Sequence, residues 1–337
     1  MIRLANIMAG AVHGGAEAFY ERLTLALHNA GEEVLPIIRR DTGRAAKLAA
    51  GGLKPVELRF GGPLDILTRP RLGLVLRSFQ PCVVMAWMNR AASKTPRGDW
   101  TMVGRLGGYY DLKYYRNCDH LVGNTRDLRS WIVSQGCPEE RAHFLPNFAT
   151  DLAGATPADL PGTAPRLLAM GRLHRNKGFD TLIRAMAEVP GTTLCIAGEG
   201  PERAALEALA RECGVADRVH LLGWRDDIGP LLAACDIFVC PSRHEPLGNI
   251  VLEAWSASRP VIAAAAQGPT ELIRDGETGL LVPVDAVEPL SAAIRTLLAD
   301  KPRQAQLAAN GRTEFEKDFA EAPVLARWRD FLHKVQR

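Results

Sequence analysis

The sequence predicts an α/β protein made of two doubly wound, parallel-sheet domains, and three observations lead there. At 337 residues the chain exceeds what one hydrophobic core usually serves. Short apolar runs alternate with amphipathic stretches almost from end to end, the rhythm of strands joined by crossover helices. That rhythm stops between about residues 149 and 165, in "ATDLAGATPADLPGTAP", and then restarts.

Taken in order, "IRLANIMA" predicts the first strand and "AEAFYERLTLALHNAG" a helix stopped at Gly31. "EVLPII", "PCVVMAW", "TMVGRL" and "DHLVGN" predict further strands of a domain spanning 1–155. The second domain, 165–320, alternates strand "RLLAMG", helix "FDTLIRAMAEV", strand "TTLCIAG", helix "PERAALEALARECG", strand "RVHLLG", helix "IGPLLAACD" and strand "IFVCPS". A helix from about Leu247 to Ser258 and strand "RPVIAAA" follow. The terminal helix, around "VLARWRDFLHKV" within 322–337, has no strand left to follow and is expected to pack back on the first domain. In such folds ligands lie at the carboxyl ends of the strands.

Composition excludes several classes. With 47% apolar and 23% charged residues the chain is that of a soluble globular protein. No window offers about eighteen uncharged apolar residues, and "MIRLANIMAG" carries no cleavage site. Seven cysteines without Cys-x-x-Cys spacing argue against a disulfide framework or a thiolate metal site, so a reducing cytoplasm is expected. The net charge of +3 hides an asymmetry: 20 basic against 13 acidic residues over 1–150, +7, and 21 against 25 over 151–337, −4. An anionic partner meeting the first half is one reading, solvated surface the other; no nucleic-acid partner is expected.

Three loop-to-helix junctions carry chemistry. "AVHGGAEAF" places His13, Gly14 and Gly15 where bare backbone amides can approach an anion or sugar, although two glycines also make a tight turn for steric reasons. "GRLHRNKGFDTL" sets Arg172 and Lys177 ahead of a helix, two cations able to neutralise a diphosphate without a metal. His174 and Arg175 share that loop, and charge alone does not choose among the four. Gly-x4-Gly-Lys-Ser/Thr is absent, so it is no Walker loop.

The third junction, "SRHEPLGNIVLEAW", begins like a zinc-protease helix at His244 and Glu245, but the second imidazole is replaced by Gly248. What remains is Glu245 in a loop containing Pro246 and Gly248 and, eight residues on, Glu253 inside the helix. On one helix they would stand about 12 Å apart along the axis and about 80° around it, both able to face one cleft. That suits the two ends of a nucleotide sugar rather than a glycosidase acid and base at about 5–9.5 Å. Either glutamate alone also fits exposed helix surface. "GEGPERAALE" imitates a dinucleotide fingerprint, but its last glycine is Arg203 and Asp217 precedes the next strand instead of ending it.

The block "EPLGNIVLEAWSASRPVIAAAAQGPTELIRDGETGLLVP" resembles the Glu-x7-Glu segment of retaining glycosyltransferases of family four. "GRLHRNKG", "IAGEGPERAALE", "RVHLLGW" and "DIFVCPS" match that family's other landmarks in order, with "HGGAEAF" and "LPNF" in the first domain and at its exit. The resemblance covers nearly the whole chain and is greatest to bacterial enzymes of lipopolysaccharide core, O-antigen and other surface glycans. It implies the GT-B fold, two Rossmann-like domains facing across a cleft, with the donor on the second and the acceptor on the first.

Carried onto this chain, the resemblance gives Glu245 the donor sugar hydroxyls, with the backbone at Leu247, Gly248 and Asn249. Glu253 would hold the ribose, Arg172 and Lys177 the diphosphate, and Gly223 and Trp224 would border the base. Gly14 and Gly15 would line the cleft from the other domain; His13, Asn89, Arg90, Arg105 and Tyr110 are the acceptor-side candidates. A histidine that members often carry in the first domain has no counterpart in "VGRLGGYYDLKYYRNCDH", where His120 lies in the next strand and the role stays open among Arg105, Gly107 and Tyr110. The expected activity is retaining, metal-independent transfer from a nucleotide sugar, UDP-linked by preference, to a glycan or glycolipid, with neither metal nor cofactor; Asp-x-Asp is absent. A sugar-nucleotide epimerase or a silent nucleotide-sugar binder on the same fold is the alternative. "LDILTRPRLGLVLRSF" places Arg69, Arg71 and Arg77 among leucines, a surface for the inner face of an anionic membrane unless Pro70 and Gly73 interrupt the helix.

Overall fold

The computed structural model describes residues 1–12, 14–62 and 65–336. The chain forms two units, one of Met1–Phe148 with Glu321–Arg337 and one of Ala149–Ala320. In the first, β1 (Arg3–Met8), β2 (Glu33–Arg39), β3 (Val56–Leu58), β4 (Val83–Trp87), β5 (Thr101–Arg105), β6 (His120–Gly123) and β7 (Ala142–Phe144) lie in the order β3-β2-β1-β4-β5-β6-β7. In the second, β8 (Arg166–Met170), β9 (Thr193–Ala197), β10 (Val219–Gly223), β11 (Ile237–Cys240), β12 (Val261–Ala264) and β13 (Leu280–Val282) lie in the order β10-β9-β8-β11-β12-β13. All of these pairings are parallel. This is the α/β GT-B architecture.

Helices cover both faces of each sheet, which is why the central strands read as unbroken apolar runs: every residue of β4 and of β9 is buried. Asn6, at the middle of β1, is the polar exception. Its side chain accepts from Trp87 Nε1 at 2.7 Å and donates to Thr24 Oγ1 at 2.8 Å, so the buried amide is satisfied. In each unit the strand order reverses beside the first strand, at β1/β4 and at β8/β11. The loops leaving those paired strands diverge, and the gap between them is where ligands sit in open parallel sheets.

Two expectations from sequence need correction. The segment read as a linker is packed on the second unit, with Leu160 buried and Ala158 N donating to Pro230 O at 2.9 Å. Pro and Ala gave it no periodicity, yet burial orders it. Pro70 and Gly73 do not interrupt the helix Thr68–Phe79. Pro70 falls in the first turn, where its missing N–H has no intrahelical partner to lose. The turn before it is held by Asp65, whose carboxylate accepts from Thr68 N at 3.1 Å and is drawn down to about 2 chiefly by the Thr68 hydroxyl.

The terminal helix Glu321–Val335 buries Val324, Trp328, Phe331 and Leu332 within the first unit. Thr101 Oγ1 donates to Val335 O at 2.6 Å and Trp328 Nε1 to Pro146 O at 3.4 Å. Phe331 covers a histidine pair on β6 and β7: His120 Nδ1 and His143 Nε2 are 3.1 Å apart, and the Phe331 ring centroid is 4.7 Å from that of His143. Burial first, then the neighbouring His120, Lys334 and Arg129 charges, push His143 down from 6.5 to about 4. A histidine depressed in the folded state is neutral in both states above its unfolded value, and it costs stability as pH falls from there toward the folded value. Lowering the pH from about 7 to about 5 is expected to cost on the order of 1 kcal/mol, after allowance for partial solvent screening. Urea unfolding at the two pH values reads this, and His143→Gln should flatten the difference; an equal pH loss in that variant would assign it to other groups.

Candidate functional site

The loops after β8 and β11 meet at the switch point of the second unit. Gly178, at φ +64°, ends the first loop and lies so close to the second that a Cβ there would stand 2.1 Å from Pro241 O. Only glycine meets both conditions. Asn176 O accepts from Arg243 N at 2.8 Å and His244 N at 3.2 Å, tying the loops through their backbones. Arg243 locks them from outside, with Nη2 to Asp180 at 2.7 Å and Nε to Asp285 at 2.6 Å.

On this frame Lys177 Nζ lies 2.5 Å from Glu245 Oε2, with side-chain exposures of 23% and 11%. Ser242 Oγ donates to the same oxygen at 3.4 Å. Arg172 is exposed and has no hydrogen-bond or ion-pair partner among the described residues. Of the other two basic residues of the loop, His174 Nδ1 accepts from Asn176 N at 3.2 Å, while Arg175 gives its carbonyl to Arg243 Nη1 at 2.6 Å and its exposed guanidinium, like that of Arg172, has no partner among the described residues. The loop can present two free guanidiniums and one paired ammonium to an anion, and a carboxylate to hydroxyl donors.

The helix bearing Glu253 runs Asn249–Ser256, so Glu245 precedes it in a loop and the helical spacing expected between the two glutamates does not apply. Gly248, at φ +75°, makes the turn into that helix, because a left-handed residue there re-aims the backbone. Leu247 is buried, Asn249 opens the helix and Glu253 is half-buried on it. Gly223 ends β10 at φ +76°, and Trp224 beyond it is 75% exposed, a large indole with nothing covering it. The Gly-x-Gly of "GEGP" serves packing: a Cβ on Gly198 would lie 1.9 Å from Gly171 O, and one on Gly200 2.3 Å from Leu173 O. These glycines let two loops run side by side, which explains the imitation of a dinucleotide fingerprint.

In the first unit, Asn89, Arg90 and Tyr110 come together. They line a pocket of about 310 Å³ at the β1/β4 switch point, with Gly10 after β1, Met88 after β4 and Arg39 at the end of β2. Arg39 was not singled out from sequence, although its place at the carboxyl end of a strand beside β1 is a signal that would have found it. His13 lies outside the described residues. Gly14 and Gly15 start the helix Gly15–Asn29, but the space beside Gly14 belongs to Glu17, whose carboxylate would be 2.3 Å from a Cβ at Gly14 and accepts from Ala11 N at 2.8 Å.

Arg105 departs from its reading as an acceptor-side residue. It is 1% exposed, with Nη2 donating to Asn147 Oδ1 at 2.6 Å, Nη1 to Leu106 O, and its guanidinium 5.0 Å from the Trp87 ring. Burial lowers it to about 10, so it stays charged at neutral pH. Gly107 and Tyr110 are half-buried, and His120 is engaged with His143.

The description "Glycosyl transferases group 1" matches residues 157–314. The lipopolysaccharide core biosynthesis glycosyltransferase LpsE of Rhizobium meliloti (strain 1021) is 36% identical over 326 residues, covering 92% of this chain and 93% of that protein. A glycosyltransferase from Rickettsia africae superposes with a TM-score of 0.88 at 16% identity, over 98% of each chain. Anabaena Alr3699/HepE, solved in complex with UDP and glucose, gives 0.83 at 21% identity, over 99% of this chain and 100% of that one. With its two parallel sheets and the switch-point loops described above, this chain belongs to the group 1 glycosyl transferases and is a glycosyltransferase of the GT-B fold.

Proposed function

We propose that the protein moves a sugar from a nucleotide sugar, UDP-linked by preference, to an anionic glycan or glycolipid of the bacterial cell envelope, with retention of configuration and without a metal or other cofactor. The observation that carries this is the loop after β8, which sets Lys177 on Glu245 and leaves Arg172 unpartnered beside it. The lipopolysaccharide-core title of the R. meliloti relative supports the pathway, and the UDP and glucose of the Anabaena structure support the donor.

As the bond from the anomeric carbon to the diphosphate oxygen breaks, negative charge grows on the leaving phosphate and positive charge on the sugar. Arg172 and Lys177 then bind the transition state more strongly than the ground state. Glu245 takes the donor's sugar hydroxyls, with the backbone of Leu247, Gly248 and Asn249; Glu253 takes the ribose, and Gly223 and Trp224 flank the base. The acceptor hydroxyl attacks the face the nucleotide leaves, and its proton goes to the departing phosphate oxygen, so no side-chain base is required. In this reading Gly14 and Gly15 serve the donor, and His13, Asn89, Arg90 and Tyr110 receive the acceptor. The protein works in the cytoplasm, against the inner face of the membrane. The helix Thr68–Phe79 supports that placement: Arg69, Arg71 and Arg77 are exposed, beside Ile66 at 79%, Leu67 at 47% and Leu74 at 62% exposure. No helix among the described residues is long and apolar enough to cross a membrane.

Arg172→Ala and Lys177→Ala should each lower kcat/KM for transfer at least about tenfold. Lys177→Ala should lose more, because it also leaves Glu245 unpaired at 11% side-chain exposure. Near wild-type turnover in both, with a donor the enzyme uses, sinks the diphosphate assignment. Release of free nucleotide from a panel of sugar donors, with and without acceptor, separates transfer from epimerisation, which would proceed on donor alone.

Transfer should persist in excess EDTA, since two side-chain cations stand where a metal would otherwise neutralise the leaving group. Loss on chelation, restored by manganese or magnesium, would show the site misread.

Replacing Arg69, Arg71 and Arg77 together with glutamine should weaken sedimentation with phosphatidylglycerol vesicles at low salt, each arginine contributing about 1 kcal/mol near the surface. Wild-type protein that ignores such vesicles removes the membrane part of the proposal.

A further inference from the structure

The pocket at the β1/β4 switch point has a one-sided chemistry. Two of its walls are cationic, Arg39 from the end of β2 and Arg90 just after β4, and none of its lining residues is acidic. Both arginines are exposed, and neither guanidinium has a hydrogen-bond or ion-pair partner among the described residues. The Tyr110 hydroxyl is likewise without a partner there, and burial raises it, so at neutral pH it is an O–H donor. Asn89 adds a complementary need: its Oδ1 is buried with no hydrogen bond, a state that turning the amide toward a ligand's donor would relieve.

The wall opposite is held from behind. Arg44, 3% exposed, donates through Nη2 to the carbonyls of Ala11 at 3.0 Å and Val12 at 3.2 Å, while Glu17 Oε1 accepts from Ala11 N at 2.8 Å. The loop carbonyls are therefore already satisfied and Glu17 is held by Ala11 N, leaving the donors of Arg39, Arg90 and Tyr110 and the single acceptor Asn89 Oδ1 as the free groups lining the cavity. A volume of about 310 Å³ stands at the small end of ligand pockets, room for one monosaccharide.

Resting on the transferase reading above, we propose that this pocket selects an acidic sugar in the acceptor, a monosaccharide unit bearing a carboxylate or a phosphate monoester, with Arg39 and Arg90 on the acid group, the Tyr110 hydroxyl donating to it, and Asn89 accepting from a neighbouring hydroxyl. The two guanidiniums make planar, forked contacts that a neutral sugar cannot return. Arg39 and Arg90 are then specificity-determining residues.

Isothermal titration of the full chain with glucuronic acid, glucose 6-phosphate, glucose and inorganic phosphate tests this, and the first two distinguish carboxylate from phosphate. One of the two acid sugars should bind at least about tenfold tighter than glucose, and Arg39→Gln and Arg90→Gln should each weaken it at least about fivefold. Arg211→Gln, which removes an exposed charge on the second unit, controls for net charge and should change nothing. Asn89→Ala should weaken the acid sugars more than inorganic phosphate. If glucose binds as well as both acids, if inorganic phosphate binds as well as the better acid sugar, or if neither arginine variant differs from Arg211→Gln, the proposal is overturned. Absence of binding by both acid sugars at millimolar concentration overturns it as well. Nucleotide binding and donor hydrolysis on the same preparation report on the transferase reading separately, since neither enters the sugar titrations.

Discussion

The Lys177–Glu245 pair is the contact on which the candidate donor site depends. At 2.5 Å and mostly buried, it takes two charges partly out of water, and such a pair does little better than break even unless its surroundings are built for it. Here they are. Gly178 lets the two loops touch, Asn176 O bridges them, and Arg243 clamps the outside on Asp180 and Asp285. The pair also couples two roles that sequence reading keeps apart. A diphosphate that draws Lys177 away leaves Glu245 needing new donors, and sugar hydroxyls are such donors. On the proposed assignment, phosphate and sugar recognition would be linked through one carboxylate oxygen.

The two units use the same topological device with different furniture. In each, the strand order reverses next to the first strand and the diverging loops leave a gap. In the second unit the loops at the gap carry a carboxylate, a paired lysine and two free arginines, Arg172 and Arg175. In the first it carries two arginines and a tyrosine with no acid among its lining residues. The +7 and −4 charge balances of the two halves are a coarse image of that difference.

Much of this was legible because parallel strands buried on both faces write themselves as apolar runs, and because their carboxyl ends are where function gathers. "PCVVMAWMNR" led to Asn89 and Arg90 by that rule alone, and "GRLHRNKG" to Arg172 and Lys177. What stayed hidden depends on contacts between distant residues. Gly14 reads as an anion-binding turn, yet its bare Cα makes room for Glu17. Gly198 and Gly200 read as a fingerprint, yet they make room for the backbone of 171–173. Glycine marks a close approach in sequence without naming what approaches. Glu245 reads as a loop residue ahead of a helix from Leu247, and helical spacing is carried back to it, whereas the left-handed turn at Gly248 starts the helix two residues later, at Asn249.

Arg105 shows the same limit from the other side. An arginine at the end of a strand normally emerges at the ligand edge, and this one turns inward instead. Its charge is not cancelled by a carboxylate. The Trp87 and Phe19 rings, 5.0 and 5.8 Å from the guanidinium carbon, offer their negative faces, and Asn147 and the Leu106 carbonyl accept two of its N–H groups, while Nε stays without a partner. Such an arginine is costly to bury, and aromatic stacking with neutral acceptors repays only part of that cost. What it leaves is a positive charge inside the first unit, but Tyr110 at the wall of the pocket is raised first by burial and then by the Glu17 carboxylate, and Arg105 opposes them only in part. The proposed preference for acid therefore rests on the arginines at the rim, Arg39 and Arg90, since at Tyr110 the buried guanidinium is outweighed by the Glu17 carboxylate.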